Sequence, residues 1–474
     1  MRKLYPAEIL RYFLIAIILG VIIGHWFIPK QPVAGVVIIF VILGFWLKDR
    51  WRYLSLALAT MLLVIFYTVN TLPKQNVNLK IDEKNIFSAW VSESPSLGES
   101  STRYIVTLID YDKEKVLIYA RRYPKYVYGD RLEISCEIKK EVFSYYLKQG
   151  VTTSCSFPEI KLLAGHSGSV FIRKILEIRD QVSERVEKLL PEPESSLLSG
   201  IWWGEDDALP PDLKENFRSA GVSHILAVSG YNVTVVMTII FSLLLTLGLS
   251  RVSASWAVIL LVIAFVVFSG GEAAVVRAGI MGLLVVVARL VGRAAIYSNL
   301  LLLAAATMLI WNPVVLTDLG FQLSFLAMAG LLYLPDKLDL LFKWLPKWWP
   351  LRGVFIETLA AVFATAPLLL IAVDKISIIS PLANLLIVPL IPAVMFGGLV
   401  IILLSSIPSV ATIIAWPVYI ILYLIKIIAN SFSNISWATI NSSATVYMAV
   451  GGLYIFLIWY IKRALANEKI SPTS

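Results

Sequence analysis

Apolar stretches close to the length of a membrane-crossing helix recur along this chain, and they restrict its fold more than any other feature. They fall at 9–28, 33–47 and 53–69, and again at 233–249, 252–269, 272–291, 298–311, 315–334, 354–373, 378–404, 409–429 and 444–462. A helix needs roughly 20 mostly apolar residues to cross about 30 Å of hydrocarbon, where each segment must satisfy its own backbone polar groups. Hydrophobic residues make up 58% of the 474 and charged residues only 15%, which excludes a string of water-soluble domains. The chain therefore reads as a polytopic α-helical membrane protein with about 12 transmembrane helices. The run at 378–404 carries Pro381, Pro389 and Pro392, so a broken or re-entrant helix is expected there.

Charge placement orients these helices. The first run follows Arg2 and Lys3 and resembles a signal peptide, but it lacks a small-residue cleavage site and a second apolar run comes at once, so it is read as a retained helix. With the basic N-terminus and KDRWR at 48–52 in the cytoplasm, the polar region after Val69 lies outside. Arg289, Arg293, the basic loop at 337–352, Lys462 and Arg463 then share the cytoplasmic side, which puts both termini there. The net charge of +9 follows from this bias without a nucleic-acid partner. Cys136 and Cys155 are the only cysteines; they fall in the outer, oxidising compartment and permit a single disulfide.

The outer segment changes character. RYIVTLIDYD at 103–112 and KVLIYAR at 115–121 alternate as strands do, and Gly129-Asp130 marks a turn. The length suits an inserted small all-β barrel of the oligonucleotide-binding (OB) type, though periodicity alone does not separate it from other barrels. RRYPKYVYGDR at 121–131 interleaves cations with tyrosines. That pattern fits a surface that holds phosphates and stacks bases, and equally an edge strand kept from aggregating by its charges. An amphipathic helix follows from Phe171 to Leu190 and stops at PEPE, 191–194. The expected divisions are thus 1–72, about three N-terminal membrane helices; 73–166, the extracytoplasmic barrel; 167–195, the amphipathic helix; 196–465, the membrane domain; and 466–474, a cytoplasmic tail.

The stretch from Gly200 to Val236 is unlike an anchoring helix. Ser223, His224, Ser229, Asn232 and Thr234 sit where an apolar run begins, which implies tight helix packing or a wet path. Farther on, Arg277 lies inside an apolar segment close to Glu272, and Asp318 and Gln322 are spaced to share one helical face. A buried ion pair and a polar path lining both fit. No His or Cys partner stands at metal-ligand spacing, so no metal or other cofactor is expected. Asp206 and Asp207, followed by two prolines, fit a loop cap or a divalent-cation site. Ser229 and His224 raise the alternative of an intramembrane hydrolase, but five residues separate them and no carboxylate orients the imidazole.

FRSAGVSHILAVSGYNV at 217–233, with GIWWGE at 200–205, VVRA at 275–278, DLGFQLSF at 318–325, TAP at 365–367 and SPLANLLIVP at 380–389 in order, resembles the ComEC competence family of DNA-internalisation channels. YGDRLEIS at 128–135 and FSYYLKQGV at 143–151 resemble that family's extracytoplasmic OB-like domain. Asn232 stands where many members have a histidine. No HxHxDH run precedes Ser474, so the expected form lacks the metallo-β-lactamase-like domain. The resemblance implies a channel at the cytoplasmic membrane that takes up single-stranded DNA during natural transformation. A separate DNA receptor and a cytoplasmic motor ATPase are then expected, since the chain has no GxxxxGK[ST] loop, and any nuclease must be another protein. On this reading the path residues are Arg218, His224, Ser229, Asn232, Arg277, Asp318, Gln322 and Asn384. Trp202, Trp203 and Phe217 either stack bases at the mouth or form an interfacial belt. Cys136 and Cys155 form the disulfide, and no catalytic residue is assigned. A transporter of another polyanion or of a lipid-linked substrate is the remaining alternative.

Overall fold

The computed structural model describes residues 5–26, 40–43, 47, 49–72, 80–98, 101–109, 114–140, 146, 149–205, 209–342, 344–346, 351–373, 375–405, 407–435, 437–441, 451, 452 and 454. In chain order the elements are helices α1 (Pro6–Trp26) and α2 (Asp49–Thr71), then strands β1 (Lys84–Val91), β2 (Thr102–Leu108), β3 (Lys115–Ala120), β4 (Asp130–Lys139), β5 (Val151–Ser156) and β6 (Glu159–His166). Helices α3 (Val170–Leu189), α4 (Glu194–Trp203), α5 (Pro211–Ser219), α6 (Gly230–Thr246), α7 (Arg251–Phe268), α8 (Ala273–Leu290), α9 (Tyr297–Trp311), α10 (Leu319–Tyr333), α11 (Pro335–Leu341) and α12 (Arg352–Val373) follow. The short strand β7 (Lys375–Ser377), helices α13 (Ser380–Ile387), α14 (Ile391–Leu404) and α15 (Pro408–Ser433), and strand β8 (Thr439–Asn441) complete the order.

Among the described residues seven helices are long and apolar enough to cross a membrane, or eight if α10 and α11, bent by 60°, count as one span. Helices α6 and α9 are apolar but shorter. The runs expected at 33–47 and 444–462 lie largely outside the described residues. The proline-rich run is broken as expected: α13 and α14 are joined by a 3-10 step, Val388–Leu390, and Ser380–Leu404 still reads as one apolar span. The structure divides into two compact units, Met1–Gln181 with Leu244–Gln322, and Val182–Leu243 with Leu323–Ser474.

In the first unit α1 lies against α2 because two small residues let the backbones approach. A methyl group on Gly20 would stand 2.7 Å from the Met61 carbonyl oxygen, and one on Gly24 would stand 2.9 Å from Thr68 Cβ, a small-xxx-small contact of the kind used between helices in lipid. Arg11 on α1 donates to Asn299 Oδ1 and Ser298 Oγ of α9, and Asn299 Nδ2 returns a bond to the Ala7 carbonyl.

The same unit holds the barrel. Strands pair in the closed order β1-β2-β3-β5-β4-β1, with β3 and β5 parallel, the other pairs antiparallel, and β6 added outside on β4. A closed five-strand ring of this order is OB-like. Its core comprises alternate residues: Phe87, Ala89 and Val91; Tyr104, Val106 and Leu108; Val116 and Ile118; Leu132 and Ile134. Tyr126, from the connection between β3 and β4, enters the same core. Cys136 on β4 and Cys155 on β5 are joined by a disulfide.

In the second unit α14 packs on α15, and β7 pairs antiparallel with β8 through Lys375 to Asn441, Ile376 to Ile440 and Ser377 to Thr439. Helix α10 meets α12 closely enough that a methyl group on Gly330 would stand 2.6 Å from the Ala360 carbonyl oxygen. Arg352 Nη2, buried at the start of α12, donates to Asp339 Oδ1 at 2.7 Å.

Candidate functional site

In the second unit the family-like stretch becomes a helix, a sharp reversal and a second helix. Pro210-Pro211 starts α5, Pro serving well at a first turn that needs no N–H donor. The helix ends in a Schellman arrangement: Gly221 N–H donates to the Arg218 carbonyl and Val222 N–H to the Phe217 carbonyl. Gly221 has φ +74°, and both Phe217 and Val222 are buried, the apolar contact that usually accompanies this cap. The 3-10 turn Ser223–Ile225 then leads to α6.

This reversal is fixed to the segment Lys375–Asn384. Ser377 Oγ donates to the Ser219 carbonyl at 2.8 Å, and Ser380 Oγ to the Gly221 carbonyl at 3.0 Å. Asn384 Nδ2 donates to Ser380 Oγ, completing a short relay. Lys375 Nζ lies 2.8 Å from Glu215 Oε1, and Arg218 Nη1 lies 3.2 Å from Glu215 Oε2. The hydrogen bond from Lys375, opposed by desolvation and aided by the charges of Lys375 and Arg218, holds the Glu215 carboxyl below its ordinary pKa of 4.5. Asn216 Nδ2 donates to Asn430 Oδ1 on α15.

Ser229 and Asn232 begin α6. Ser229 Oγ donates to Asn232 Oδ1 at 3.0 Å, and Asn232 Nδ2 donates to the Ile201 carbonyl of α4 at 2.8 Å. Both ends of this amide are used, and Asn232 is only 3% exposed. Arg218 and His224 are exposed, Ser229 is half-buried, and Asn384 is buried. The expected mouth aromatics lie inside protein. Phe217 is fully enclosed, Trp203 Nε1 donates to Glu205 Oε2, and a side chain added at Gly398 of α14 would run into Trp202 Nε1. Their rings are packing surfaces in this structure.

The remaining path candidates are in the first unit. Helix α7 ends at Phe268, Gly270 and Gly271 turn with positive φ, and α8 opens after Glu272. Arg277, one turn into α8, is buried. Asp318 is also buried and stands at the start of α10, where its Oδ2 accepts from the Phe321 N–H at 3.1 Å, the position of an N-cap. Gln322 is half-buried and its Nε2 donates to the Leu316 carbonyl at 2.7 Å. Asp206 and Asp207 lie outside the described residues.

Sequence reasoning missed Lys375, Ser377 and Ser380, whose partners are about 160 residues away. It also missed the ion pair between Glu194, buried at the start of α4, and Lys426 on α15, whose ammonium also lies over the Tyr423 ring. PEPE gave only a helix stop, and Lys426 was the lone cation within an apolar run; that isolation was the available signal.

The family described as Competence protein matches residues 201–464, more than half of the chain and all of the α5 to α6 reversal. A relative, ComE operon protein 3 of Bacillus subtilis (strain 168), is 26% identical over 304 residues, covering 64% of this chain and 38% of that protein. The match thus spans well under half of the relative's length. No solved structure matches. With the family match extending across the site and the apolar helices that carry it, this multi-pass membrane protein belongs to the Competence protein family.

Proposed function

We propose that this chain forms the route by which single-stranded DNA crosses the cytoplasmic membrane during natural transformation. The reading rests on the family and on one observation above all: the reversal after α5 exposes Arg218 and His224 within a largely apolar helical unit. A strand with a charge on every phosphate cannot enter hydrocarbon and needs a hydrated route with polar or cationic walls. Arg218, His224 and Ser229 line that route in our reading, while the buried Asn232 and Asn384 hold the reversal in place. Counting the runs outside the described residues, the chain crosses the membrane about twelve times, with both termini cytoplasmic and the barrel outside. It transports rather than catalyses. A DNA receptor outside and a motor ATPase inside are its partners on this reading.

The test is entry of labelled DNA into a nuclease-protected form, in cells carrying the wild type, a deletion, Arg218→Glu or Arg218→Lys at matched membrane abundance. The deletion is expected to abolish protected DNA while surface binding persists. Arg218→Glu should lower import by about tenfold or more through like-charge repulsion, and Arg218→Lys should retain most of it. Normal import by the deletion strain would overturn the reading.

A further inference from the structure

The barrel carries a site whose assignment rests on the reading that this chain handles single-stranded DNA. OB-type barrels commonly take oligonucleotides on the face of strands 2 and 3. Here the chain fills part of that face itself. Ile105 of β2 and Leu117 of β3 form a second small apolar cluster with Tyr146 and Val151, and Tyr119 packs against it. Arg103 Nη1 donates to Tyr146 Oη at 3.2 Å. The apolar side chains of this patch are therefore already covered, and the guanidinium beside them is engaged.

The connection between β3 and β4 turns an aromatic ring outward instead. Tyr126 and Tyr128 are buried, Tyr126 packing edge-on against Tyr104 while its N–H donates to Tyr104 Oη. Val127 N–H donates to Asp130 Oδ2. With the loop anchored at these points, residues 121–125 are all exposed and belong to no strand. Charges that guard a sheet edge have no edge to guard here. Arg121, Arg122 and Lys125 flank Tyr123 in sequence; Tyr123 is 75% exposed, Lys125 Nζ lies 5.9 Å from its ring centre, and Arg122, itself exposed, donates from Nη2 to the Gly98 carbonyl at 3.0 Å. No acidic residue occurs from Lys115 to Gly129. An exposed aromatic among cations offers one base a stacking surface and the adjoining phosphates their counter-charges.

We propose that the loop 121–125 is where the barrel takes single-stranded DNA, with Tyr123 stacking a base and Arg121, Arg122 and Lys125 meeting phosphates. The test uses the full chain in phosphatidylcholine nanodiscs and a labelled oligothymidylate, read by fluorescence anisotropy across a salt series. Arg121→Ala with Arg122→Ala and Lys125→Ala should weaken binding at least about tenfold and lower the log–log salt slope by about two, at roughly 0.7 per phosphate contact. Tyr123→Ala should weaken it about fivefold or more with the slope unchanged. Lys84→Ala with Lys161→Ala, exposed cations elsewhere on the barrel, should leave affinity within about twofold. Equal affinity of the triple variant and wild type, or an equal loss in the Lys84 and Lys161 control, overturns the loop assignment. So does a triple variant that loses only binding to phosphatidylglycerol vesicles, which would make the loop a lipid contact. Absence of oligonucleotide binding by the unaltered protein would instead sink the functional reading beneath it.

Discussion

At φ +74° Gly221 holds a backbone conformation that costs an L side chain roughly 1–2 kcal/mol, and the space around it is closed as well. A methyl group there would stand 2.7 Å from Ser377 Cβ and still closer to Ser380 Cβ. Gly221→Ala should therefore cost about 3 kcal/mol or more and lower the thermal midpoint of the detergent-solubilised protein by several degrees. Gly353→Ala on α12, where nothing lies within 4 Å, should be neutral or slightly stabilising. Equal midpoints for Gly221→Ala and wild type would mean that the reversal is not held as described. The helix end at Gly221 was not read from the sequence, although Gly after a helical stretch is a local stop signal. Asn232 was not legible in the same way. Its polarity marked it, but its use, a bond to a carbonyl 31 positions earlier, is set by packing that no local pattern encodes.

Among elements, apolar length foretold the long helices, and the prolines foretold the break between α13 and α14. What the pattern did not give is which helices touch. The joint between α4 and α15 rests partly on Glu194 and Lys426, a pair drawn from a helix stop and an apolar run. Removing one member leaves an uncompensated charge in a poorly hydrated place, typically about 3–5 kcal/mol destabilising, whereas the pair as a whole can be close to neutral. Glu194→Ala and Lys426→Ala should each lower membrane abundance and thermal midpoint sharply. The exchange Glu194→Lys with Lys426→Glu should recover at least half of that loss if the charges act on each other. Single variants that behave as wild type, or an exchange no better than the singles, would show that the joint is held by apolar packing alone.

At the scale of the whole molecule, strand alternation and turn residues identified a β module, but barrel closure depends on β1 meeting both β2 and β4, a long-range pairing that periodicity cannot specify. We propose from the placement of Lys and Arg around the first helices that the barrel lies outside, and its cysteines make that orientation testable. Cys136 and Cys155 close a loop across 19 positions, a link worth roughly 3 kcal/mol to the barrel in the chain-entropy account, and one that thiol-reducing cytosol would not sustain. Cells quenched in acid, blocked with an alkylating agent, then reduced and treated with a maleimide polymer should yield protein carrying two added polymers, and none if the reduction is omitted. Cys136→Ser with Cys155→Ser should carry none under either treatment and should lower barrel stability while leaving the helices inserted. Thiols blocked at the first step in wild-type cells would place the barrel on the reducing side, invert every crossing argued from the basic loops, and remove the barrel from the path of incoming DNA.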